Sequence, residues 1–88
     1  MNIGLFTINT NQQYREFSEL TGYTLTEDTL YLGQVQDGKI YACMSVDNPG
    51  NGGFLVEQDE SFACTPKNGA KLWIKTVAKS NTTINLAN

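Results

Sequence analysis

The feature that most constrains this chain is the dipeptide Asp37-Gly38, set between two runs in which apolar and polar residues alternate. An Asp-Gly step tolerates the positive φ angles of a two-residue type I′ loop, so Thr29 to Val46 is expected to form a β-hairpin. That turn would fix the register. Pairing Gln36 with Lys39 sets Val35 opposite Ile40, Gly33 opposite Ala42 and Tyr31 opposite Met44, and these six residues share one apolar face. The opposite face carries Leu30, Leu32, Gln34, Tyr41, Cys43 and Ser45, a mixed set that calls for partial cover by another element.

The same reading extends to both ends of the chain. Ile3 to Ile8 can form a strand, and Asn9, Thr10 and Asn11 offer capping side chains to a stretch where Tyr14, Phe17 and Leu20 recur every third residue. One or two helical turns are expected there. Asp47 to Gly53 holds three glycines and a proline and reads as an exposed loop, followed by short strands at Phe54 to Glu57 and Ser61 to Thr65. Between them lies the acidic bend Glu57, Asp59 and Glu60, and Pro66-Lys67-Asn68-Gly69 makes a further turn. Lys71 to Ala78 and Thr83 to Ala87 read as a last hairpin. A three-residue loop at Ser80 to Thr82 puts Leu72, Ile74, Ala78, Ile84 and Leu86 inside, with Lys71, Trp73, Lys75 and Lys79 outside. A two-residue loop would instead bury Lys75, so the longer loop is preferred.

The expected fold is therefore mainly β: a small antiparallel β-sandwich or barrel of six to seven short strands, with one short helix near the N-terminus. Eighty-eight residues support a single core, so residues 1–88 are expected to be one domain. Charged residues make up 17% of the chain, whereas Asn, Thr, Ser and Gln fill 28 positions, so the exterior is polar but weakly charged. A net charge of -3 with six basic residues provides no basic stripe for tracking phosphates, which argues against nucleic acid as a partner. No stretch approaches the roughly 20 apolar residues of a membrane span. Met1 to Ile8 has no cation ahead of its apolar run and does not read as a secretory signal, so synthesis in the cytoplasm is expected. In that compartment Cys43 and Cys64 are expected to be free, buried thiols.

Catalytic and metal chemistry find few candidates. Histidine is absent, which removes the commonest general base and metal ligand together. The two cysteines do not cluster with other ligands, and the acidic bend reads as a solvated turn. Asp47 to Gly52 resembles a calcium loop only at its first, fifth and sixth places, since Pro49 and Gln58 occupy positions that need ligands. Asn81-Thr82-Thr83 matches a glycosylation acceptor but reads as a turn. No enzyme activity and no cofactor are expected. Trp73 among Lys71, Lys75 and Lys79 is the one constellation suited to recognition, because an aromatic ring flanked by cations can stack on a sugar or fill a protein pocket. Trp73 could equally pack beneath a neighbouring loop or sheet. Tyr41, on the mixed face of the first hairpin, is a second aromatic candidate.

Gly53-Phe54-Leu55-Val56, the run Asn68-Gly69-Ala70-Lys71-Leu72-Trp73-Ile74-Lys75 and the terminal Thr83-Ile84-Asn85-Leu86 resemble a pattern of small virion-associated structural proteins of tailed phages and prophages. The likeness covers about the last 36 residues and, more loosely, the hairpin before them. It implies a β-sandwich capsid decoration, head-fibre or tail component that self-associates and attaches to the particle, made in the bacterial host. Its implied partners are copies of itself or another virion protein. A carbohydrate- or receptor-binding module using Trp73 and Tyr41, and a small phage-encoded inhibitor of a host protein, are the alternative expectations.

Overall fold

In the computed structural model, which describes residues 1–88, period-two patterning becomes burial of alternate residues. Eight strands and one short helix form: β1 (Asn2–Ile8), β2 (Arg15–Glu16), α1 (Phe17–Thr21), β3 (Tyr31–Asp37), β4 (Ile40–Ser45), β5 (Phe54–Val56), β6 (Ser61–Cys64), β7 (Lys71–Thr76) and β8 (Thr82–Ala87). The strand count is eight, not six to seven, because the dipeptide Arg15–Glu16 pairs with β7. Two four-stranded antiparallel sheets pack face to face, sheet I in the order β1-β8-β3-β6 and sheet II in the order β2-β7-β4-β5.

The connections correct the expected hairpins. β3 and β4 are not hydrogen-bonded to each other, nor are β7 and β8; each pair is split between the sheets. The turn at Asp37-Gly38 is therefore an arch over the core. The backbone of β3 is paired by β8 and β6, and that of β4 by β7 and β5. β1 with β2 and β5 with β6 are split likewise, and the four arches follow one another in the same order through both sheets. Only β4 and β5 form a hairpin within one sheet. The physical reason for the misreading is that a hairpin and an arch satisfy the same alternation. In a hairpin the inward side chains lie beside each other, whereas in an arch they meet across the roughly 10 Å between sheets.

Most inward assignments keep their side. Tyr31, Val35, Ile40, Leu72, Ile74, Ile84 and Leu86 are all in the core, with Phe17, Ile8, Val56 and Cys64. Each such large side chain contributes about 1.5–3 kcal/mol by leaving water. Ala78 is the exception, being exposed in the β7–β8 connection because β7 ends at Thr76. The Tyr31 hydroxyl accepts a hydrogen bond from the Thr26 amide at 2.8 Å, which pairs the polar end of an otherwise apolar ring.

The helix is one turn long, with Glu16 at its N-cap position and Gly22 closing it in the left-handed region at φ 76°. Asn9 and Thr10 do not cap it. Asn9 bonds the Asn11 amide and the Lys79 carbonyl, and Thr10 is buried against Thr76. In that pair each hydroxyl accepts from the other residue's amide, at 2.8 and 3.3 Å, and the hydroxyls lie 3.1 Å apart. Phe17 in α1 packs edge-on against Phe6 at 5.4 Å, and Tyr23 lies 6.2 Å from Phe6. This aromatic group closes the β1/β2 end of the sandwich. The β5/β6 end has no such cover.

Candidate functional site

On the outer face of sheet II, register brings the expected recognition residues into rows. Tyr41 pairs with Lys75 across β4 and β7 and with Leu55 across β4 and β5; Cys43 pairs with Trp73, and Ser45 with Lys71. Lys71, Trp73, Lys75 and Tyr41 thus share one surface. Lys79 does not join them. It follows the end of β7, exposed in the connection to β8, where its carbonyl accepts a 3.0 Å bond from the Asn9 side chain.

The face is ordered by contacts within the chain. The Lys75 ammonium lies 4.9 Å from the ring centroids of both Tyr14 and Tyr41, so one cation serves two aromatic faces. The Trp73 indole N–H donates to the Ser45 carbonyl at 2.9 Å, and Lys71 approaches Glu16 at 3.8 Å. Trp73 is half-buried, neither fully wet nor part of the core. Lys71 keeps half of its side chain in water, so its ion pair contributes little to stability.

Tyr14 is the member that the sequence did not announce. Its spacing with Phe17 and Leu20 reads as one helix face, yet it precedes β2 and lies over sheet II. Its hydroxyl donates to the Gly52 carbonyl, and the Asn48 amide reaches its backbone carbonyl at 3.3 Å. The loop Asp47 to Gly53 is thereby folded back onto the face. Gly53 permits this closure: at φ 95°, any Cβ there would stand 2.1 Å from the Tyr14 hydroxyl. Burial first, then the nearby Cys43 and Tyr41, raises the Tyr14 phenol above its ordinary range, which keeps it a donor. Beside Lys75, the residues Gln12, Gln13, Asn48 and Asn51 line a polar hollow of about 360 Å³.

The other candidate positions are structural in their contacts. In the acidic bend, Glu60 accepts from the Glu57 amide at 2.8 Å, and the backbone of Asp59 and Glu60 bonds Val35. Cys43 is half-exposed beside Trp73, not buried as expected, and Cys64 is buried in the other sheet; both are free. Burial pushes the Cys64 thiol up to about 11. No helix is long and apolar enough to cross a membrane.

The face can offer a partner aromatic surface, a fixed cation and amide groups at once. Comparison of the chain with protein-family models, curated proteins and solved structures returns no match in any of the three.

Proposed function

We propose that this chain is a non-enzymatic structural protein of the phage virion type, a capsid decoration, head or tail component that self-associates, and that the outer face of sheet II is the separate surface by which it attaches to the particle. The observation that carries this reading is the pre-ordering of that face. Lys75 is held between two tyrosines, Trp73 is tied to Ser45, and the 47–53 loop is clasped by Tyr14. Groups already fixed lose less freedom on docking, and Trp and Tyr anchors are enriched at the centres of protein interfaces. The carbohydrate reading is less well supported by the same geometry. A sugar stacks on an open ring face, and here the Lys75 ammonium lies over Tyr14 and Tyr41.

Immunoblotting of purified particles tests the attachment. The chain is expected in them at a level comparable to a shell protein, and its absence would end the virion reading. A second arm uses Trp73→Ala and Lys75→Glu, which are expected to keep the β circular dichroism spectrum and lose incorporation. Glycan-array binding by the wild type, abolished in both variants, would favour the carbohydrate alternative.

A further inference from the structure

The two ends of the sandwich are unlike. At the β1/β2 end, β1 carries a register irregularity between Asn2 and Gly4, β2 consists of the charged pair Arg15–Glu16, and the Phe6, Phe17 and Tyr23 rings close the gap between sheets. Bulges, short strands and edge charges are the devices that keep strand edges from pairing with other chains. At the β5/β6 end β5 is also short, at three residues, but neither strand carries a bulge or a charge, and the acidic Glu57, Asp59 and Glu60 stay in the arch between them. The edge strands Phe54–Val56 and Ser61–Cys64 contain no charged residue and no proline, and their pairing is free of irregularities.

Between these two edges the core opens into a cavity of about 450 Å³, lined by Met44, Phe54, Val56, Phe62, Cys64 and Leu72 among others. Its wall on sheet I exists because residue 33 is glycine, since a Cβ there would stand 2.4 Å from the Phe62 ring. Phe54 lines the cavity and yet is 80% exposed, so it projects at the mouth. Leu55 beside it is also exposed.

We infer that this open end is where two copies of the chain pair, β5 edge to β5 edge, with Phe54 of each copy seated at the other's cavity. The inference rests on the self-association reading and names its surface. A two-fold interface sets a patch against itself, so a charged patch would meet like charge. The chain carries a net charge of -3, but none of it falls on the seven residues of the two edge strands. In an antiparallel pairing with the two-fold axis at Leu55, Phe54 stands beside Val56 of the second copy. That places the ring over the partner cavity. Each seated aromatic buries about 150–250 Å². Two of them supply a substantial share of the roughly 1,200 Å² at which stable interfaces begin. The Leu55 side chains at the axis and the paired β5 backbones add further buried surface.

Sedimentation velocity over a wide concentration range tests the pairing, using wild type, Phe54→Ser, Leu55→Lys and Trp73→Ala. The wild type is expected to be dimeric. Phe54→Ser, which alters an exposed side chain, should weaken dimerisation at least tenfold. Leu55→Lys, which sets two cations at the axis, should do the same, and keeps the test open if Phe54→Ser misfolds. Trp73→Ala should dimerise as the wild type does. If the wild type dimerises and both β5 variants dimerise equally well, the surface is wrong while self-association stands. A wild type that remains monomeric throughout overturns the self-association reading and this surface with it, leaving the mouth to a different occupant.

Discussion

Thr10 and Thr76 show how a polar pair can sit in a core without cost. Each hydroxyl bonds the other and also accepts the other residue's backbone amide, so four polar groups are satisfied with no water. Thr76→Val removes the acceptor of the Thr10 amide and the hydroxyl–hydroxyl bond, while the Thr10 hydroxyl keeps the residue-76 amide, so it is expected to destabilise the fold by about 1–3 kcal/mol in urea melts. Making both residues valine should add to the loss, since both amides are then unpaired; recovery in the double variant would contradict the geometry. Cys64 supplies a pH test. Its folded pKa of about 11 lies above the ordinary thiol value of 9.0, so the unfolded chain releases its proton first as pH rises. The associated stability is complete below about pH 9, declines as pH climbs and is lost by about pH 11. Comparing wild type with Cys64→Val across this range cancels the tyrosine titrations, and the difference should fall by an amount on the order of 2 kcal/mol. A flat difference would mean that the thiol is wet in the folded state.

At the scale of elements, patterning and pairing separate. Alternation placed Tyr31, Val35, Ile40, Leu72, Ile74, Ile84 and Leu86 in the core, because facing inward depends only on residue parity. It could not say whether the strand across a short turn is a hydrogen-bonded neighbour or the opposite wall, since either arrangement buries the same residues. The site divides in the same way. Lys71, Trp73 and Lys75 share a face by parity alone, and Tyr41 joins them because β4 and β7 pair at Tyr41 and Lys75, a contact between distant segments. Tyr14 was missed because two residues of strand carry no periodic signal. Lys79 was misplaced because the strand ends at Thr76, before parity reaches it. Pairing within sheet I also relies on close approach, as where Phe62 of β6 lies over Gly33 of β3. Gly33→Val should force that ring aside and cost about 1–3 kcal/mol by overpacking, read as a lowered urea midpoint. An unchanged midpoint would show that the ring has room to move.

At the scale of the whole molecule, β1 and β8 join the two ends of the chain, and the main-chain groups of Met1 and Asn88 bond each other at the tip of that ladder. Such long-range pairing makes folding slow for the chain's length, because loop closure must precede most of the contacts. The same feature determines how the molecule bears load. Tension applied between residues 1 and 88 pulls on two adjacent points of one antiparallel ladder, so its hydrogen bonds break in succession, as a zip opens, and are never sheared together. β1 should peel away at low force in single-molecule extension, in several small steps, while the arches beyond β8 hold longer. Pulling instead across the sandwich, from a handle at Phe54 to one at Leu5, loads several ladders at once and should require markedly higher force. A particle that attaches this protein by its faces therefore engages its mechanically strong direction, and one that tethers it by both chain ends engages its weakest.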